Sequence, residues 1–149
     1  MDLQSIESDP VKLAKGCYWR VRRENDGTIS GSPIDGPDPE VAWLLLVPRG
    51  IAFDRALEDE MVPTRAARRE GEVLSPEEEW RITGRAHGRA TVKGWGNLSI
   101  GGEPLPFSEG KAIELMTEPR WRALQDFVRL THHHLAAAAK KEEAKALGN

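Results

Sequence analysis

Apolar positions change rhythm along the chain, and each rhythm predicts an element. From Cys17 to Arg23, Cys17, Trp19 and Val21 alternate with Tyr18, Arg20 and Arg22. A period of two belongs to a half-buried strand. Glu24-Asn25-Asp26-Gly27 then supplies turn chemistry, because Gly accepts positive φ freely. Thr28 to Glu40 is rich in Pro and Gly and reads as a loop, since Pro has no donor for a central ladder. Ala42 to Val47 is an unbroken apolar run and predicts the most buried strand, ended by Pro48-Arg49-Gly50.

The period then lengthens. Phe53, Leu57 and Met61 recur at helical spacing among acidic residues, and the helix is expected to stop before Pro63. Thr64 to Val73 is charged and expected to be exposed. Ser75-Pro76-Glu77-Glu78 is a helix start: Ser75 caps, Pro76 suits the first turn, and Glu78 completes a capping box. That helix should reach about Val92, although Gly84 and Gly88 each weaken it by about 1 kcal/mol relative to Ala. A short segment, Val92 to Ile100, carries Trp95 between Gly94 and Gly96, and Gly101-Gly102 turns the chain. Ser108 should cap a helix to about Met116 and Thr117 the next, with Trp121, Leu124, Val128 and Leu135 as its apolar seam and Phe127 beside it. From Ala136 the bulk disappears while helix propensity stays high. A helix from Glu118 to Leu147 would be about 45 Å long, more than a small domain spans, so its end should protrude, fray or lie on a partner.

Composition narrows the class. A chain of 149 residues is one domain with room for an arm. The expected division is a polar lead-in over 1–15, a single domain over 16–135 and an Ala/Lys/Glu arm over 136–149. The net charge of -3 disfavours a dedicated nucleic-acid binder. No apolar run has the length of a membrane span, and Met1-Asp2-Leu3-Gln4-Ser5 lacks the signal-peptide pattern. One Cys excludes an intrachain disulfide and suits a reducing compartment.

Candidate chemistry is sparse. His132-His133-His134 are adjacent, so on a helix their rings point about 100° apart and cannot all chelate one ion; they read as a partly exposed run near a helix end. Cys17 on an alternating strand reads as a small buried hydrophobe, with no base to activate it. Glu77, Glu78 and Glu79 complement a helix dipole. Arg81, Arg85, Arg89 and Lys93 form a basic stripe that either meets an acidic partner or pairs with local Glu. Phosphate loops of the G-x-x-x-x-G-K-[ST] or G-x-G-x-x-G type are absent. No catalytic residue, metal ligand or cofactor is assigned.

Val92-Lys93-Gly94-Trp95-Gly96, then Gly102-Glu103-Pro104-Leu105-Pro106-Phe107-Ser108 and a helix, is similar to a pattern in small tail-region proteins of tailed bacteriophages. Many of these are labelled tail assembly chaperones. The resemblance covers about Trp80 to Val128. In physical terms Trp95, Pro104, Pro106 and Phe107 would make a rigid elbow between two helical pieces. The whole reads as an α+β fold, a small N-terminal antiparallel sheet (Cys17 to Arg23 with Ala42 to Val47) packed on three or four helices with the last extended. The expected core is Trp19, Val21, Trp43, Leu45, Val47, Phe53, Leu57, Trp80, Ile82, Trp95, Phe107, Ile113, Leu124 and Val128. The resemblance implies a non-enzymatic tail assembly chaperone in the host cytoplasm during assembly. The alternatives are a structural component of the virion and a small phage regulator of a host protein. Its partners would be other phage proteins, such as a tape-measure or tail protein, or further copies of itself. The contact residues would be Leu130, Leu135, Lys140, Lys141 and Leu147, with Arg81, Arg85 and Arg89 as a second face.

Overall fold

The computed structural model describes residues 16–147 apart from 67, 69 and 70, with side chains as far as residue 135. The expected lead-in over 1–15 lies outside the described residues. The fold is α+β. Strands β1 (Cys17–Arg23), β2 (Ile29–Ile34), β3 (Trp43–Leu46) and β4 (Val92–Gly96) form one antiparallel sheet in the order β2-β1-β3-β4. Helices α1 (Ile51–Ala66) and α2 (Pro76–Ala90) separate β3 from β4. A two-stranded hairpin, β5 (Ser99–Ile100) and β6 (Glu103–Pro104), leads to α3 (Glu109–Thr117), a 3-10 turn (Pro119–Trp121) and α4 (Arg122–Leu147).

The β1 alternation places Trp19 and Val21 in the core, 1% and 7% exposed, with Cys17 packed against it. The following turn closes as its residues require: Gly27 takes φ +88°, and Asp26 accepts from the Thr28 backbone N–H at 3.0 Å. The loop expected from Thr28 onward is instead β2. Its Pro33 stands opposite Trp19, and the strand is tolerated because it forms an edge, where a missing donor breaks no central ladder. Gly31 in β2 is needed for packing, since a Cβ there would come within 2.6 Å of the Phe127 ring from α4.

In β3 the buried pair is Leu44 and Leu46, whereas Trp43, Leu45 and Val47, expected in the core, are only half-buried. Trp43 packs on Tyr18 across the opposite face of the sheet, with ring centres 5.3 Å apart. Helix α1 continues through Pro63 to Ala66, past its expected end. Pro63 is exposed, so the Asp59 carbonyl it leaves without a helical donor stands on the solvent side of the helix.

Helix α2 starts as its sequence dictates. Ser75 accepts from the Glu78 backbone N–H at 3.2 Å, with Pro76 in the first turn. Glu78 does not reach back to the cap N–H but turns to Arg68. Helix α3 begins at Ser108, which accepts from the Lys111 N–H at 3.1 Å. Thr117 does not cap the next helix: it ends α3, with its hydroxyl donating to the Ile113 carbonyl at 2.7 Å.

The main core lies where β1, β3 and β4 meet α3 and α4, around Trp19, Leu44, Leu46, Val92, Trp95, Leu115, Met116, Phe127, Val128 and Leu135. A smaller cluster, Phe53, Ala56, Ala86 and Ala90 with Leu57 against it, joins α1 to α2. Helix α2 also packs closely on α3. A Cβ at Gly84 would overlap the Met116 carbonyl, and one at Gly88 would stand 2.6 Å from Ile113 Cα.

Candidate functional site

The β3–β4 pairing builds the most unusual polar cluster among the described residues. The strands are antiparallel with Leu46 opposite Val92, so the chain leaving β3 runs beside the chain entering β4. Val47 N–H donates to the Thr91 carbonyl at 2.8 Å and fixes that approach. Arg49, two residues on, therefore meets His87, one turn before Thr91 on α2. Its Nη2 lies 2.8 Å from His87 Nε2. Helix α1 adds Phe53, whose ring is 4.8 Å from the His87 ring and 5.0 Å from the Arg49 guanidinium carbon. Helix α4 adds His132, stacked on His87 with ring centres 5.1 Å apart and planes at 29°.

The hydrogen bonds fix the His87 tautomer. The Thr91 hydroxyl donates to the His87 carbonyl at 3.1 Å, so it accepts from Nδ1–H, 2.8 Å away. The lone pair on Nε2 then accepts from Arg49. Both nitrogens are engaged, and the ring has no lone pair to offer a substrate. Burial, and then the neighbouring His132, Arg49 and Arg129, push the His87 pKa down to about 2. Burial, and then Arg49, push His132 down to about 4. Both rings are therefore neutral at pH 7. His132 is 3% exposed, and neither of its nitrogens has a hydrogen-bond partner.

Arg129 stands one turn before His132 on α4. Its guanidinium carbon lies 3.6 Å from the Trp80 ring centre and its Nη2 donates to the Trp80 carbonyl at 2.9 Å. Arg122 covers the same ring at 4.1 Å. Trp80, expected in the core, is thus half-buried under two guanidinium groups, with Nε1 donating to Gln125 Oε1 at 2.5 Å. Gln125 is itself buried and donates to the Leu115 and Glu118 carbonyls. Burial first, then Arg49 and Arg122, lower the Arg129 pKa to about 10.

Nothing in the sequence pattern groups Arg49, His87, Arg129 and His132. The expected histidine run near a helix end is corrected: His132 is buried in mid-helix, His133 exposed and His134 half-buried. The helical period held the signal. Phe127, Val128, Thr131, His132 and Leu135 recur on one buried face of α4, whereas His133 falls off it.

The expected contact residues are scattered. Leu130 on α4 is 56% exposed, whereas Leu135 is 6% exposed and belongs to the core. Lys140, Lys141 and Leu147 lie on α4, with side chains outside the described residues. Arg81 is exposed, but Arg85 and Arg89 bind Glu60 of α1 at 2.9 and 3.3 Å, and Arg89 also approaches Asp59 at 3.6 Å. Lys93 belongs to β4 and donates to the Arg89 carbonyl.

The Gly-Trp and Pro-Leu-Pro-Phe-Ser stretch is strand, hairpin and helix start, not an elbow between two helices. Trp95 is 6% exposed, donates from Nε1 to the Leu105 carbonyl at 2.8 Å, and meets the Phe107 ring edge-on at 4.8 Å. Phe107, expected in the core, is 39% exposed and covers Trp95 from outside. Pro104 pairs with Ser99 across the hairpin, and Pro106 follows in the irregular link to α3.

Among the described residues no group of three or more His, Cys, Asp or Glu could hold a metal ion, and no helix is long and apolar enough to cross a membrane. Neither a curated protein nor a solved structure matches the chain. A family model described as YdaY prophage protein matches residues 49–149. That span contains all four helices and β4, and the chain belongs to the YdaY prophage protein family.

Proposed function

We propose that this prophage protein is non-enzymatic and works by binding other phage proteins, with tail assembly chaperone as its role. The observation that carries the reading is α4. It runs from Arg122 to Leu147, about 39 Å at 1.5 Å per residue, and shows Leu130 to solvent. Its last stretch, Ala136 to Leu147, is small and charged in sequence and remains helical. A helix of that kind suits docking along another helix, such as a long tape-measure chain, through small residues that permit close approach. The prophage family supports a phage setting, and the tail role rests on the resemblance of Val92–Ser108 to tail-region proteins.

The test is quantitative mass spectrometry of banded particles and of the soluble fraction from one induced lysate. A chaperone is expected in the soluble fraction, bound to a long helical phage chain, and absent from the particles. Removal of residues 136–149 should abolish that association while the domain stays folded. Stoichiometric presence in particles would replace the chaperone with a structural component. Recovery only with a host protein would make it a regulator.

A further inference from the structure

Several of the arginines packed along this fold are neutralised within the chain. Arg68 takes Glu78, and Arg85 and Arg89 take Glu60. Arg49 and Arg129 are treated differently. Among the described residues neither has a carboxylate within ion-pair distance, although Asp126 lies one turn before Arg129 and its charge favours the protonated form. Burial alone lowers Arg49, and the Arg49 charge in turn lowers Arg129. Arg49 meets His87, His87 stacks on His132, and Arg129 precedes His132 by one turn of α4, so the two guanidinium groups belong to one region and the Arg49 charge disfavours that of Arg129.

Both forks are held in place with donors to spare. Arg49 spends one on His87 and rests on Phe53. Arg129 spends one on the Trp80 carbonyl and rests on its ring. A guanidinium has five donors. His132 adds an imidazole that is 97% buried and has no partner at either nitrogen, a costly arrangement unless a ligand completes it. The 16-residue helix α1 starts at the same place, since Arg49 precedes it and Phe53 stands in its first turn. Its cap position is Gly50, whose carbonyl receives the first helical bond and which has no side chain to satisfy the free amides. The acid of that turn, Asp54, lines the groove with Leu57 and Met61 on another side of α1.

We infer that Arg49, Arg129 and His132, with the first turn of α1, bind a phosphate group, either inorganic phosphate or the terminal phosphate of a nucleotide. A tetrahedral dianion offsets two guanidinium charges and has oxygens enough for two forks, an imidazole N–H and backbone amides. A carboxylate satisfies one fork. The inference is independent of the tail role.

The test is calorimetric titration of the full chain at pH 7 with inorganic phosphate, with adenosine monophosphate and with acetate, at constant ionic strength. Saturable binding of phosphate or the nucleotide, with no response to acetate, is expected; the tighter of the two identifies the source. Arg49→Gln, at a solvent-reaching position, should weaken binding by about tenfold or more, the usual value of a hydrogen bond to a charged group. His132→Phe keeps the stack and should weaken it as well, whereas Arg81→Gln should leave it unchanged. If a variant unfolds, the wild-type melting temperature still decides, because a site should make it rise saturably at low phosphate concentration, whereas the general salting-out effect of phosphate grows steadily without saturating. No saturable phosphate response, equal binding by Arg49→Gln, or a response to duplex DNA alone would overturn the site.

Discussion

Gly84 and Gly88 act oppositely in isolation and in context. In a lone helix each costs about 1 kcal/mol relative to Ala. In the fold they admit the backbone of α3, with Ile113 Cα 2.6 Å from where a Gly88 Cβ would lie. Gly88→Ala is therefore expected to destabilise by about 1–3 kcal/mol through overpacking, against the gain that propensity alone predicts. Urea unfolding would check it, and a rise in the midpoint would refute the close contact. Ser75→Ala should cost about 1 kcal/mol by the same measurement, since it removes the acceptor for the Glu78 N–H. The cap was legible because Ser-Pro-Glu-Glu is a local signal. The glycine contact was not, because nothing in α2 says which backbone approaches it.

Elements set a similar boundary. Strand β1 alternates, so its face could be read in advance. The run from Ala42 to Val47 that holds β3 is apolar at every position, so its sequence has no phase: Trp43 and Leu45 are as apolar as Leu44 and Leu46, and only the latter pair is buried. Strand β2 was hidden by Pro33, whose tolerance depends on an edge position that only topology reveals. The basic stripe of α2 was real but mostly spent on α1: Arg85 and Arg89 converge on Glu60. Glu60→Gln should lower stability by about 1 kcal/mol, since Glu60 is half-buried and two partly exposed guanidinium groups share its carboxylate, and calorimetric unfolding would show it. The described core ends on α4 at Leu135. Truncation after that residue should leave the circular dichroism of the sheet and the melting temperature nearly unchanged.

At the scale of the molecule the buried histidines govern acid stability. Both fold as neutral rings, with pKa values lowered to about 2 for His87 and about 4 for His132 from an ordinary 6.5. Unfolded imidazoles bind protons below about pH 6.5, whereas the folded ones do not. Their contribution is thus complete above that pH and is lost as pH falls from 6.5 toward 4 and below. Denaturant midpoints measured from pH 7.5 to 4.5 should fall, and His132→Phe should flatten the fall. A profile identical in that variant would mean that His132 does not fold neutral. The candidate site itself was not legible, because Arg49 after β3, His87 on α2, and Arg129 with His132 on α4 come from three places that meet only in the folded chain.

That pairing also separates two kinds of unit. Strand β4 is hydrogen-bonded in the sheet to β3 alone, and β3 precedes residue 49, where the family match begins. The matched stretch contains α3 and α4 without the Trp19, Val21, Leu44 and Leu46 side chains that close over Leu115, Met116 and Val128. Expressed alone, residues 49–149 should bind a hydrophobic dye and aggregate, and a separately supplied peptide spanning residues 16–48 should rescue them. The family match spans one segment of this chain, and cooperative folding draws its border elsewhere.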